Sequence, residues 1–240
     1  FIKDLKINEV LLKKIIVIPH STNKIKSLDI VNKKKKIIIF VGKLNSQKGY
    51  DIFGNVIIKI LDKNKNWKSI VVGDEEREKL LFVHPRLDVK GFIEHSKVVR
   101  LFEKASIAVV PSRWQEPLGR TGLEASSRGC ATIVSNRGGL PETITNGIVL
   151  KRLDENELFK QIQILINNTD FRKKLQILSI KNFNLDHKII AKKIDNVRHK
   201  VVEKYFFNIN KKSKLKIIHI TNFNQRYYGR LHFNTGTRIN

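Results

Sequence analysis

Two carboxylates, Glu116 and Glu124, stand in the stretch VVPSRWQEPLGRTGLEASSRGCATIVSNRGGLPE, which runs from Val109 to Glu142. Each can accept both hydroxyl hydrogens of a vicinal diol, as a sugar ring or a ribose presents them. The loop between Pro111 and Pro117 leads to Gly119, where the pattern predicts a helix start, with the helix reaching about Arg128. Glu116 then precedes this helix and Glu124 lies in its second turn, so an anion at the helix start would sit between them. The first N–H groups, about Gly119 to Thr121, lack helical partners and suit a phosphate. The dipole supplies only about 0.3–1 kcal/mol, up to ~2 in a favourable site, too little for a diphosphate. Lys43 and Lys48, in GKLNSQKG, add the missing charge, and Gly42 and Gly49 allow close backbone approach there. By residue type alone a plainer reading of each group is preferred: a Glu complementing a helix dipole, a Glu on a solvated face, two lysines in a Lys-rich chain.

These residues need a scaffold that brings distant loops together. Ile37–Val41, Ile70–Val72, Ile107–Val110, Thr132–Val134 and Ile148–Leu150 are short apolar runs without alternation, as expected of strands covered on both faces. Val98, Phe102 and Ala105 follow helical spacing, as do Leu158, Ile162 and Leu165, and Asp154 with Glu157 forms a capping-box pattern. From about 154 to 204 the pattern is mostly helical. Alternating strands and helices predict an α/β fold, a Rossmann-like doubly wound parallel sheet, with ligands beyond the carboxyl ends of the strands. Lys43, Lys48 and the Glu116 loop all fall at that edge.

The ends read differently. Residues 1–30 read as the tail of a preceding domain and a hinge, with a short strand at Ile15–Ile18 before Pro19. The main domain is expected over 31–204, a linker over 205–214, and the truncated start of a second Rossmann-like domain over 215–240, opening with the apolar run Lys216–Ile220. The chain begins at Phe1 and contains no Met, so it reads as a piece of a longer protein.

Composition excludes several classes. An apolar fraction of 41% is enough for a core, which excludes full disorder. One Cys, Cys130, excludes an internal disulfide framework and multi-Cys zinc sites, and reads as a small buried residue. The seven His residues show no metal-ligand spacing, and no apolar run is long enough to span a bilayer. The formal net charge of +25 invites a polyanion reading, but the basic clusters, such as Lys33–Lys36, are scattered and mostly lack interleaved aromatics. They read as solvated surface, with peripheral contact to anionic lipid left open and no specific nucleic acid expected.

GKLNSQKG, EPLGRTGLEA and GGLPE, in this order and spacing, resemble the C-terminal, donor-binding domain of retaining glycosyltransferases of family 4, with the GT-B fold. The resemblance covers about residues 8–204 and includes VIPH, VVGD and VKGFI; the E-x7-E pattern from Glu116 to Glu124 is its most specific element. It implies that Lys43 and Lys48 neutralise a donor diphosphate, that Glu116 holds hydroxyls of the transferred sugar and that Glu124 holds the ribose diol. Backbone groups of Leu118, Gly119, Arg120 and Thr121 would touch phosphate or sugar. The Gly73 turn and the segment Val89, Lys90 and Gly91 would border the nucleobase, and Gly138 and Gly139 would pass close to the donor. The sequence departs from the family at Lys43, where Arg is commoner, at Leu118, commonly Phe, and in the acidic loop Asp74-Glu75-Glu76, where a second Gly is common.

The resemblance implies sugar transfer from a nucleotide diphosphate sugar, with retention, to a saccharide or lipid-linked saccharide acceptor, in surface polysaccharide or lipopolysaccharide synthesis. No D-x-D sequence occurs, so no metal and no further cofactor is expected. The acceptor would be held by the missing preceding domain, so this piece alone should bind nucleotide weakly and transfer nothing measurable. A cytoplasmic location, at the inner face of the membrane, is the matching expectation. A non-catalytic nucleotide-sugar-binding module and a nucleotide-sugar epimerase of similar fold are the alternatives. Arg113 and Trp114 either line the cleft or pack on the sheet.

Overall fold

Six parallel strands form one sheet in the order β3-β2-β1-β4-β5-β6. They are β1 (Lys35–Val41), β2 (Lys68–Val72), β3 (Leu87–Val89), β4 (Ala105–Val110), β5 (Ala131–Ser135) and β6 (Ile148–Leu150). The computed structural model describes residues 15–208. The helices are α1 (Tyr50–Lys63), α2 (His95–Lys104), α3 (Arg120–Ser127), α4 (Glu155–Asn167), α5 (Thr169–Lys181) and α6 (His187–Asn208). This is the α/β doubly wound sheet that the apolar runs predict.

The strands are apolar along their length because both faces are covered. Ile38 and Phe40 of β1 join Ile107 and Val109 of β4 in one core, against Phe53, Val56, Ile57 and Ile60 of α1 and Leu158, Ile162 and Leu165 of α4. Ile39 and Ala108 point the other way, against Val98 and Phe102 of α2 and Ala125 of α3. The helix after β1 therefore covers one face and the helix after β4 the other. The two chains leave their adjacent strands in opposite directions, which opens a crevice between them at the carboxyl edge.

Lys34 departs from the solvated-surface reading of its cluster. Its ammonium donates to Phe102 O and Arg128 O, both at 2.7 Å, near the carboxyl ends of α2 and α3, where a cation complements the helix dipole. Burial pushes this ammonium down in pKa and pushes the neighbouring Cys130 thiol up. Cys130 is fully buried, as expected of a small core residue.

Three local differences from the sequence reading have physical causes. Ile15–Ile18 is not a strand: no strand lies beside it among the described residues, and Ile15, Ile16 and Val17 are exposed. Instead the segment that follows docks on the helical region, with Thr22 bridged to Asp186 and Ile25 N–H donating to Ser127 O at 3.2 Å. The strand β3 was not anticipated, because LDV is short and carries an Asp at a sheet edge. Helix α6 continues to Asn208, into the stretch read as linker, and one compact unit closes at Asp195 with a second beginning at Asn196. The expected strand Lys216–Ile220 and the rest of 215–240 lie outside the described residues, as do 1–14.

Candidate functional site

The crevice between β1 and β4 is walled by the two loops that carry the chemistry. After β1 the chain turns through Gly42 to Lys43 and forms a single 3-10 turn, Ser46–Lys48, capped by the Asn45 side chain accepting from Lys48 N–H at 3.0 Å. Gly49 then starts α1. After β4, Ser112 to Pro117 lead to Gly119 and α3. Arg113 and Trp114 N–H both donate to Gln47 O, at 2.8 and 3.1 Å, which stitches one loop to the other.

Lys48 meets Glu116 across this seam. The Lys48 ammonium donates to Glu116 Oε1, and the Ser112 hydroxyl donates to the same oxygen at 3.0 Å. Glu116 is buried, its side chain 10% exposed, against 29% for Lys48. Its backbone is fixed as well: Gly139 N–H donates to Glu116 O at 2.7 Å. Gly138, at φ 53°, lies so close that an added Cβ would stand 2.2 Å from Glu116 O. What the Gly138-Gly139 pair approaches within this chain is thus the backbone at Glu116 and Pro117. Lys43 is exposed and its side chain has no hydrogen-bond or ion-pair partner among the described residues.

Helix α3 opens at Gly119 without a side-chain cap, so the N–H groups at Arg120 and Thr121 remain available. One turn on, Glu124 is buried, and its Oε1 accepts from Arg120 NH2 at 3.3 Å and pairs with His95 Nε2 at 3.0 Å. Leu118 is buried beneath the helix start, with Leu123. Of the expected site side chains, Lys48 and Glu116 are in contact, and Glu124 follows on the helix that Glu116 precedes.

The outer part of the edge is built from three glycine turns. Gly42 N–H donates to Val72 O at 3.0 Å, and Gly73 N–H to Gly91 O at 2.9 Å. Val89 and Lys90 are exposed at this edge, and Lys90 pairs with Asp88 at 2.7 Å. Trp114 is 49% exposed, whereas Arg113 forms a two-pronged bond to Asp51 at 2.6 and 2.7 Å. The choice left open for this pair therefore divides: Arg113 fastens the loop to α1, and Trp114 stands half-exposed in it.

Sequence reasoning missed the residues that hold the site. Ser112 escaped notice because a Ser after a strand is unremarkable. His95 is far from Glu124 in sequence. The acidic loop after Gly73 was read only as a departure, yet Glu75 accepts from Asn45 Nδ2 at 3.0 Å and from Arg77 Nε and NH2 at 2.9 and 3.1 Å. Glu78 accepts from Ser46 N–H at 3.0 Å and the Ser46 hydroxyl at 3.1 Å. Both carboxylates brace the Lys48 turn. The Arg77 side chain, helped by Arg77 N–H and Asn45, holds the Glu75 carboxyl down to about 2 from 4.5.

That depression makes a pH prediction. The folded-state value is below the unfolded one, so the Glu75 contribution is complete above pH 4.5 and is lost as pH falls towards about 2. Glu75→Gln should flatten the fall of the thermal midpoint in that window relative to wild type, measured by calorimetry across a pH series. An identical fall in both proteins would show that Glu75 has no part in it.

Among the described residues no cluster of His, Cys, Asp or Glu is arranged to hold a metal ion, and no helix is long and apolar enough to cross a membrane. Residues 22–181 match the family described as glycosyl transferases group 1. The chain is 29% identical over 158 residues to spore coat protein SA of Bacillus subtilis (strain 168), covering 59% of this chain and 42% of that one. It is 28% identical over 123 residues to the lipopolysaccharide core biosynthesis mannosyltransferase LpsB of Rhizobium meliloti (strain 1021), covering 47% and 35%. Anabaena Alr3699/HepE in complex with UDP-glucose superposes with a TM-score of 0.58 at 20% identity, over 73% of this chain and 54% of that one. The chain spans about two fifths of the length of the curated relatives it matches.

Proposed function

The chain belongs to the group 1 glycosyl transferases, and from that premise we propose that its crevice holds a nucleotide diphosphate sugar, the donor of a retaining, family 4 transferase with the GT-B fold. The observation that carries the reading is the arrangement of charge at the β1–β4 crevice: Lys48 on the buried Glu116, the uncapped start of α3, and the buried Glu124 one turn on. In this reading Lys43, Lys48 and the α3 amides receive the diphosphate, Glu116 takes sugar hydroxyls and Glu124 the ribose diol. Gly73, Val89, Lys90 and Gly91 border the base.

The hard step is departure of the diphosphate while the sugar becomes cationic. Fixed positive charge at the leaving group lowers that barrier without reorganisation, and the lysines with the helix end supply it in place of a metal. In this reading Glu116 orients the ring, and Ser112, Lys48 and Gly139 support that role by fixing its carboxylate and its backbone. The acceptor, a saccharide or lipid-linked saccharide of surface polysaccharide or lipopolysaccharide synthesis, would approach from a partner domain, and attack would come from the leaving-group side. The present chain alone would bind nucleotide and not transfer sugar.

The test is a thermal-shift and calorimetric panel of UDP, GDP and ADP, and their sugars, on the 240-residue chain. At ligand a hundredfold above Kd, binding adds about 2.7 kcal/mol, or roughly 5–10 °C in midpoint for a domain of this size. One nucleotide should produce such a rise, and Glu124→Gln should weaken its binding about ten- to a hundredfold, the range for a charge-assisted hydrogen bond. No response to any of them, or equal binding by wild type and Glu124→Gln, would sink the reading.

A further inference from the structure

Glu124 is held by a residue that no motif marks. His95 is the first residue of α2, directly after the β3 turn that carries Gly91, whereas Glu124 lies on α3. Its Nε2 stands 3.0 Å from Glu124 Oε1. Arg120 NH2 reaches that same oxygen at 3.3 Å. Among the described residues Glu124 Oε2 has no hydrogen-bond partner. A carboxylate is acceptor-only, so the donor at this contact can only be His95 Nε2–H. Both donors thus converge on one oxygen of a buried carboxylate, and the other oxygen is left for a ligand.

We infer that His95 is a positioning residue for Glu124: it pins Oε1 so that Oε2 is presented to the vicinal diol of a nucleotide ribose. The inference rests on the nucleotide-sugar reading of the crevice. The physical argument is rotameric. A Glu side chain has three rotatable bonds, and holding it for a diol costs conformational entropy on binding unless something holds it beforehand. Arg120 is a weaker clamp, because it comes from the same helix four residues away and makes the longer contact, 3.3 Å against 3.0 Å. His95 comes from the element that follows the base-side turn. It therefore couples the base edge to the ribose edge through one 3.0 Å polar contact, and a shift of α2 would be felt at Glu124.

The experiment compares each nucleoside diphosphate with its 2′-deoxy form. UDP, GDP and ADP and the matching 2′-deoxynucleotides are titrated calorimetrically into the 240-residue chain, and the ratio of affinities, ribo over deoxy, is the readout. This ratio isolates the diol contact, which a purely structural role for His95 would leave unchanged. The wild type should favour the ribo form and Glu124→Gln should abolish the preference. His95→Ala should lower the ratio about three- to tenfold, less than the loss of Glu124 itself, because Arg120 NH2 still holds Oε1. His95→Gln should restore it, since the Gln side-chain amide can place an N–H near the Nε2 position. His95→Asn, too short to reach, should behave as Ala; it serves as a second variant because His95 is 63% exposed on the surface and tolerates a polar replacement. If His95→Ala and His95→Asn keep the wild-type ratio, or lower both affinities equally, while Glu124→Gln abolishes the preference, the His95 inference alone falls. If Glu124→Gln keeps the preference, or the wild type binds none of the nucleotides, the ribose assignment falls and the inference with it.

Discussion

Lys48→Ala is expected to lower affinity for the nucleoside diphosphate that binds by about ten- to a hundredfold, and to slow transfer by the whole protein by a similar factor, since one charge-assisted hydrogen bond is worth roughly 1.5–3 kcal/mol. The same change has a second consequence without ligand. Glu116 keeps only the Ser112 hydroxyl among its side-chain partners, with its side chain 10% exposed and its counter-charge gone. Breaking a fully buried pair costs about 3–5 kcal/mol, but Lys48 is 29% exposed and solvent screens part of this, so about 1–2 kcal/mol is expected here. The two effects separate in a double-mutant cycle. Lys48→Ala with Glu116→Gln removes the stranded charge and should recover most of the lost stability, read from the denaturant midpoint. It should not recover nucleotide affinity, which needs the ammonium. If affinity returned with stability, Lys48 would be a partner of Glu116 only, and the diphosphate would be held elsewhere.

The sequence made the sheet readable because this fold places its signal in the strands. Ile37–Val41 and Ile107–Val110 are covered on both faces, and burial on both faces leaves an unbroken apolar run that few other elements produce. β3 was illegible for the opposite reason. It pairs only with β2, and its Asp88 and Val89 are exposed, so nothing selects an apolar run there. The Ile15–Ile18 run shows that apolar residues alone do not make a strand: with no neighbour among the described residues to complete a ladder, its backbone takes no strand hydrogen bonds there.

The site divides in the same way. Glu116, Glu124, Lys43 and Lys48 were found because charged residues at fixed offsets near glycine turns stand out. Their supports did not stand out, because each is an ordinary residue made significant by distance in sequence. Glu75 and Glu78 brace the Lys48 turn from beyond α1 and β2, and His95 reaches Glu124 from another helix. Only the fold brings such pairs together. What a linear motif reveals is the group that meets the ligand; what it hides is the group that fixes that one in place. The acidic loop is the clearest example, a departure from the expected glycine in which Glu75 accepts three hydrogen bonds from the Arg77 and Asn45 side chains and Glu78 accepts two from Ser46.

Gly73→Ala should be the most damaging single methyl group at the carboxyl edge of the sheet. Gly73 has φ 139°, a region L side chains rarely adopt, and an added Cβ would lie 1.8 Å from Gly42 O. That neighbour is backbone, at the turn leading to Lys43, and cannot rotate away. Strain and clash together should cost about 3 kcal/mol or more, a fall in midpoint of roughly 6–12 °C. Gly91→Ala is the control on the same edge. Its φ of 63° carries the left-handed cost of about 1–2 kcal/mol, but an added Cβ meets nothing within 4 Å. Thermal denaturation of the two variants should therefore separate strain from collision. Nucleotide titration should follow the collision: Gly73→Ala displaces the Gly42 turn and with it the loop bearing Lys43 and Lys48, so its affinity should fall further than that of Gly91→Ala. Equal loss of stability in both variants would mean that the Gly42 turn yields freely, and that the close approach of β1 and β2 exits does not set the position of the lysines.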